Sequence, residues 1–166
     1  MTGTYLGGGL INPTRASAPR ALAFKHTHTG RKLELVYAEG GSYLPDALAA
    51  INRFLKDFRT GDVYPIDPKL LDTLYLLADM FDQPGEFQVI SGFRSPQTNE
   101  HLRQTSSGVA KRSYHMQGRA IDVRLTGARL ANLHKAALSL HNGGVGYYPA
   151  SDFIHVDTGP VRSWGS

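Results

Sequence analysis

His115 and Asp122 stand seven positions apart in Ser113-Tyr114-His115-Met116-Gln117-Gly118-Arg119-Ala120-Ile121-Asp122-Val123, the densest stretch of chemistry-bearing residues in the chain. Gly118 permits a close turn after His115, and a strand beyond it brings Asp122 back towards the imidazole. Side chains alternate along a strand, so Ala120 and Asp122 share one face while Ile121 and Val123 take the other. The small Ala120 leaves room for an ion beside the carboxylate. A carboxylate flanked by Ile121 and Val123 is costly to bury without a cation or hydrogen-bond donors. A surface histidine beside a salt-bridged aspartate accounts for the same residues, and this segment alone leaves both readings open.

A second segment, Asp152-Phe153-Ile154-His155-Val156-Asp157, puts His155 and Asp157 on one strand face and Ile154 and Val156 on the opposite, core face. A lone strand histidine is more commonly an ordinary hydrogen-bonded one. Jointly, though, the two segments offer two imidazoles and one aspartate. A catalytic zinc site keeps three protein ligands and leaves the fourth position to water. The metal lowers that water's pKa towards neutrality and polarises the scissile carbonyl. A nearby carboxylate then takes the water proton and returns it to the leaving amine. The chain has no cysteine, which removes disulfides, thiol nucleophiles and cysteine zinc sites, so any metal falls to its seven histidines and fourteen carboxylates.

Other candidates compete less well. His26 and His28 share a strand face but lie at a hairpin end, where a solvated surface is the stronger reading. His101, His134 and His141 fall on or beside helices with no ligand partner at suitable spacing and read as surface or capping residues. Lys111 and Arg112 offer a grip for an anionic substrate, with a solvated loop as the alternative. Tyr147, Tyr148 and Trp164 either wall a cleft or fill the core.

The elements that must position these residues are legible in outline. Residues 22–27 and 32–37 read as a hairpin around Gly30. Leu44-Pro45-Asp46 opens a helix with apolar residues at Leu48, Ile51, Phe54, Leu55 and Phe58, stopped by Gly61. Asp67-Pro68 starts a second helix, ended by Pro84-Gly85, and Ser95-Pro96 a third. Residues 86–91 and 118–125 read as strands, and Thr126 as the cap of a helix through Leu140. Gly143-Gly144 precedes two closing strands near 145–148 and 153–157. Helices and strands in mixed order make an α+β domain, with residues 1–21 as a loose Gly-, Pro- and Ser-rich arm.

The combined pattern Ser113-x-His115-x-x-Gly118-x-Ala120-x-Asp122, followed by Asp152-x-x-His155, resembles the zinc signature of the D-Ala-D-Ala metallopeptidases. That group includes the VanX dipeptidases and shares its fold with the sonic hedgehog domain and the lysostaphin-type endopeptidases. Ile90-Ser91-Gly92-Phe93-Arg94-Ser95 is similar to the family's Ser-Gly-aromatic-Arg segment. Residues 107–113, 143–148 and 155–159 look like the YcbK-type murein endopeptidase branch, and the likeness runs from about Leu22 to Trp164.

The resemblance implies a hedgehog/DD-peptidase-like domain over residues 22–166, with a small, mainly antiparallel sheet and helices packed on one side. It implies Zn2+ bound by His115, Asp122 and His155. Arg94 would steady the carbonyl oxygen as it gains negative charge, and Ser113 would contact the substrate or the turn backbone. In the wider family the acid three residues before the last histidine is the base, which points to Asp152. The YcbK-type pattern tolerates other residues there and keeps His-x-Asp, so Asp157 stays open as a base or as a partner orienting an imidazole. The implied activity is hydrolysis of peptidoglycan stem-peptide cross-links. D,D-carboxypeptidase or dipeptidase action on the same site, and a non-catalytic hedgehog-like binding module, are the alternatives.

Composition narrows the remaining classes. Hydrophobic residues make up 41% and charged residues 19% of 166, enough for a packed single domain. The net charge of +4 favours an anionic partner, which bacterial wall polymer satisfies. No Lys/Arg run or basic stripe interleaved with aromatics points to nucleic acid. No apolar run approaches the length of a membrane span. Residues 1–19 lack the apolar stretch of a secretory signal, while the resemblance implies export to the periplasm or cell surface. A monomer is the default expectation.

Overall fold

The computed structural model describes residues 18–82 and 85–165. Residues 1–17 of the expected arm lie outside them, and Arg20 and Ala21 already belong to the first strand. The expected hairpin forms from β1 (Arg20–His26) and β2 (Lys32–Glu39), antiparallel, with Leu22 opposite Leu35 and Phe24 opposite Leu33. A two-residue β3 (Ser42–Tyr43) follows, then helices α1 (Pro45–Phe54) and α2 (Pro68–Asp79). Asp67 caps α2 by accepting from the Lys69 amide at 3.0 Å, as its place before a proline predicts.

Next come β4 (Phe87–Ser91), α3 (Pro96–Thr105), β5 (Ala120–Leu125), α4 (Leu130–Leu140), β6 (Gly144–Tyr148), β7 (Phe153–Asp157) and β8 (Arg162–Trp164). Arg129, not Thr126, precedes α4; the Thr126 hydroxyl instead bonds the Glu86 carbonyl across to the neighbouring strand. Among the described residues no helix is long and apolar enough to cross a membrane.

The eight strands among the described residues form one sheet in the order β3-β2-β1-β4-β5-β7-β6-β8. This corrects the expectation of a small, mainly antiparallel sheet. The sheet is large and mixed, because α1 and α2 carry the chain across and return it as β4 parallel to β1, and β8 adds parallel to β6. Such pairings join residues far apart in sequence, where local patterning carries no signal.

A single hydrophobic cluster gathers Phe24, Leu70, Leu74, Phe87, Ile121, Val123 and Ile154 with residues of α1, α2 and α4. Each such buried side chain contributes about 1.5–3 kcal/mol relative to exposure. α3 contributes no residue to this cluster; its buried residues are polar Thr98 and Asn99. Along β5, Ile121 and Val123 face the cluster, which leaves Asp122 on the other face.

Candidate metal centre

Three local devices bring the ligands together. Ser113 caps a 3-10 turn, Tyr114–Gln117, by accepting from the His115 amide at 3.3 Å. The turn ends at Gly118 with φ 64°, and a Cβ there would collide with the Pro65 carbonyl, so only glycine serves both needs. The Arg94 amide bonds the His115 carbonyl at 3.2 Å, tying the turn to the end of β4. Beyond it, β5 and β7 run antiparallel with Asp122 directly opposite His155.

The result is one cluster. His115 Nε2 lies 3.2 Å and His155 Nδ1 3.0 Å from Asp122 Oδ1. One ligand atom from each residue lies within 4.8 Å of the others, the arrangement a metal ion requires, and this is the group of that kind among the described residues. The imidazole and carboxylate expected to meet do meet.

The outer ring nitrogens decide what the inner ones are. His115 Nδ1 sits 2.8 Å from the Gly92 carbonyl, and a carbonyl only accepts, so Nδ1 carries the hydrogen. His155 Nε2 sits 2.8 Å from Asp157 Oδ2, which fixes its hydrogen likewise. In the neutral rings, His115 Nε2 and His155 Nδ1 then present lone pairs to an ionised carboxylate. Three acceptors aimed at one place repel one another unless a cation stands among them, so this donor set fits a divalent metal.

The ionisation tendencies agree. Burial keeps His115 neutral by lowering its pKa, against the pull of Asp122. Burial works against the charge on Asp122 as well, yet His115 and His155 hold its carboxyl well below the usual range. Burial opposes a charged His155, but its hydrogen bonds to Asp122 and Asp157 raise it to about 9, so without a metal a proton takes the cation's place.

The two acids named as bases stand in different surroundings. The Asp157 side chain is 0% exposed. Its two oxygens accept from His155 Nε2, from both terminal nitrogens of Arg162 (2.8 and 3.0 Å), and from the Gly144 and Gly159 amides (3.0 and 2.9 Å). Burial alone would raise its pKa; these donors push it far down instead. A carboxylate so occupied orients His155 and is not available to water. Asp152 is turned away altogether. It sits just before β7 in a left-handed backbone conformation (φ 54°), and its side chain is 65% exposed and bonds Arg124 at 3.1 Å. Of the two roles left open for Asp157, the geometry is that of a partner orienting an imidazole.

Arg94 stands where expected, at the turn from β4 into α3. Its side chain is 11% exposed, with one terminal nitrogen 3.6 Å from Asp122 Oδ2. Its remaining bonds, to Ser91 Oγ at 3.3 Å and Asn99 Oδ1 at 3.4 Å, are long, and its buried Nε has no partner among the described residues. Burial lowers its pKa. An under-satisfied buried guanidinium is suited to receive a negative oxygen.

A cleft of about 530 Å³ opens over this cluster, lined by Arg94, Ser113, Tyr148 and Trp164 and by residues 106–110 and 112. Tyr148 and Trp164 are therefore cleft walls, whereas Tyr147 packs against the core and stacks on His134 at 4.4 Å. His26 and His28 both lie against Phe58 and join no metal-competent group among the described residues. Sequence reading missed Arg162, whose pairing with Asp157 depends on β8 adding to the sheet edge; no local pattern announces it.

The family model described as peptidoglycan L,D-endopeptidase MepK matches residues 14–164. The peptidoglycan L,D-endopeptidase MepK of Escherichia coli is 44% identical over 170 residues, which cover 99% of this chain and 93% of the relative. A probable peptidoglycan L,D-endopeptidase MepK of Haemophilus influenzae is 44% identical over 147 residues, covering 88% of this chain and 79% of the relative. Among solved structures, the Serratia marcescens L-Ala D-Glu endopeptidase ChiX overlaps 57% of this chain and 68% of its own, at 20% identity and a TM-score of 0.39. That overlap is too partial to bear on the chemistry of this cleft.

Proposed function

Because the chain belongs to the peptidoglycan L,D-endopeptidase MepK family, we propose that it is a zinc-dependent murein endopeptidase cutting an L,D peptide bond in peptidoglycan cross-links. The observation that carries the chemistry is the convergence of His115 Nε2, Asp122 Oδ1 and His155 Nδ1 in an open cleft with Arg94 alongside. Two imidazole nitrogens and one carboxylate oxygen are a common catalytic zinc set. When bound, zinc acidifies a water and polarises the peptide carbonyl. We read the architecture as hedgehog/DD-peptidase-like because one face of the sheet carries this set.

The protein's own residues do the rest. Gly92 and Asp157 engage the outer nitrogens of the two imidazoles, which turns the inner nitrogens towards the metal position. Arg94 meets the substrate carbonyl oxygen as it becomes negative. Ser113 serves the turn that presents His115. Asp122 Oδ2, which no imidazole engages, faces the Arg94 guanidinium at 3.6 Å. Since its polymer lies outside the cytoplasmic membrane, we place the enzyme's action in the periplasm or at the cell surface.

Digestion of purified cross-linked muropeptides tests this reading, with mass spectrometry of the products. Dimers should become monomers carrying a new carboxyl on an L-centred residue, and a chelator should stop the reaction. Loss of only terminal D-residues from monomers would instead indicate a carboxypeptidase. Binding to the wall without any cleavage would leave a binding module.

A further inference from the structure

The acids of the cleft are engaged, and Ser113 Oγ accepts from the His115 amide in the turn. Tyr148 differs. It ends β6, in register with Phe153, and alternation places it with Gly144 and Gly146 on the face that carries His155. Its ring stacks on Phe153 with centroids 4.7 Å apart. Its hydroxyl oxygen accepts from Trp164 Nε1 at 2.8 Å. Trp164 in turn lies beside His155, ring centroids 5.1 Å apart, over Gly146, where any Cβ would come within 2.7 Å of the indole. The glycine thus makes the space that lets the indole reach the phenol.

An indole N–H only donates, so this bond uses a lone pair of the phenol and leaves its hydrogen free. No described residue accepts that hydrogen. Both Tyr148 and Arg94 line the cleft. A hydroxyl fixed from behind, with an unused hydrogen beside an under-satisfied cation, is a preorganised donor that needs no reorientation when negative charge appears.

We propose that Tyr148 is a catalytic residue, donating its hydroxyl hydrogen to the peptide carbonyl oxygen as that oxygen gains negative charge, in concert with Arg94. Trp164 is a positioning residue acting through it. The assignment rests on the endopeptidase reading above.

The test compares zinc-loaded wild type, Tyr148→Phe and Trp164→Phe on a cross-linked muropeptide dimer. A donor used only in the transition state affects kcat and not KM. Tyr148→Phe should keep full metal content and an unchanged KM while kcat falls about 100-fold or more. Trp164→Phe keeps the hydroxyl and should lose under about tenfold. The assignment fails if Tyr148→Phe retains kcat within about threefold, or raises KM with kcat intact. It also fails if Trp164→Phe loses as much as Tyr148→Phe, since the phenol would then serve only to hold the indole. A wild type that binds zinc and leaves the dimer intact would remove the endopeptidase reading itself, and this role with it.

Discussion

His115→Ala is expected to abolish cross-link cleavage and to leave the purified protein with little zinc. Nε2 is one of three donors, and its partner nitrogen is locked by the Gly92 carbonyl at 2.8 Å, so no other atom of the turn substitutes. Two remaining ligands do not retain zinc against a buffer. Losing the metal removes several kcal/mol of charge stabilisation, and each 1.36 kcal/mol is tenfold in rate, so turnover should fall by about 10³-fold or more. Elemental analysis beside steady-state rates checks both halves. Wild-type zinc occupancy in this variant would refute the ligand assignment.

Asp157→Asn is expected to weaken zinc affinity about 10–100-fold, the usual cost of losing a carboxylate behind a ligating histidine. The variant keeps the shape but loses the charge that His155 Nε2 and Arg162 address. Because Asp157 orients His155, saturating zinc should restore most of the turnover. If it were the base, zinc affinity would hold and turnover would stay low at any zinc concentration. Asp152→Asn in the same series should change neither quantity, since that side chain is exposed and pairs with Arg124.

Asp157 also predicts a pH signature. Its folded carboxyl titrates far below an unfolded aspartate near 3.9. Its contribution to stability is therefore present above about pH 4 and lost as pH falls further. The gap in Tm between wild type and Asp157→Asn should be full at pH 7 and narrow in acid.

The parts of this site that sequence reveals are those governed by local rules. Alternation along β5 separates Asp122 from Ile121 and Val123, and alternation along β7 separates His155 from Ile154 and Val156; both hold in the structure. Asp67 and Ser95, each followed by proline, cap their helices as their types require. Asp152 escapes that rule: it precedes β7 in a left-handed backbone conformation (φ 54°), so strand alternation does not set its direction.

What local rules do not reach is long-range pairing. The parallel return of β4 to β1, and of β8 to β6, makes the sheet mixed, and no periodicity encodes which strand adds to which. Arg162 belongs with this group: its role exists only once β8 sits beside β6 and aims it at Asp157. Trp164 could be suspected as a cleft wall, but its bond to Tyr148 could not be read from spacing.

The most direct test is to strip the protein of metal and follow cleavage of a defined muropeptide dimer as zinc is returned stepwise. Activity should be absent at the start, rise in proportion to added zinc and level off at about one equivalent per chain, as a single three-ligand site requires. Full cleavage by metal-free protein, or a zinc-loaded protein that never cuts the dimer, would contradict the account.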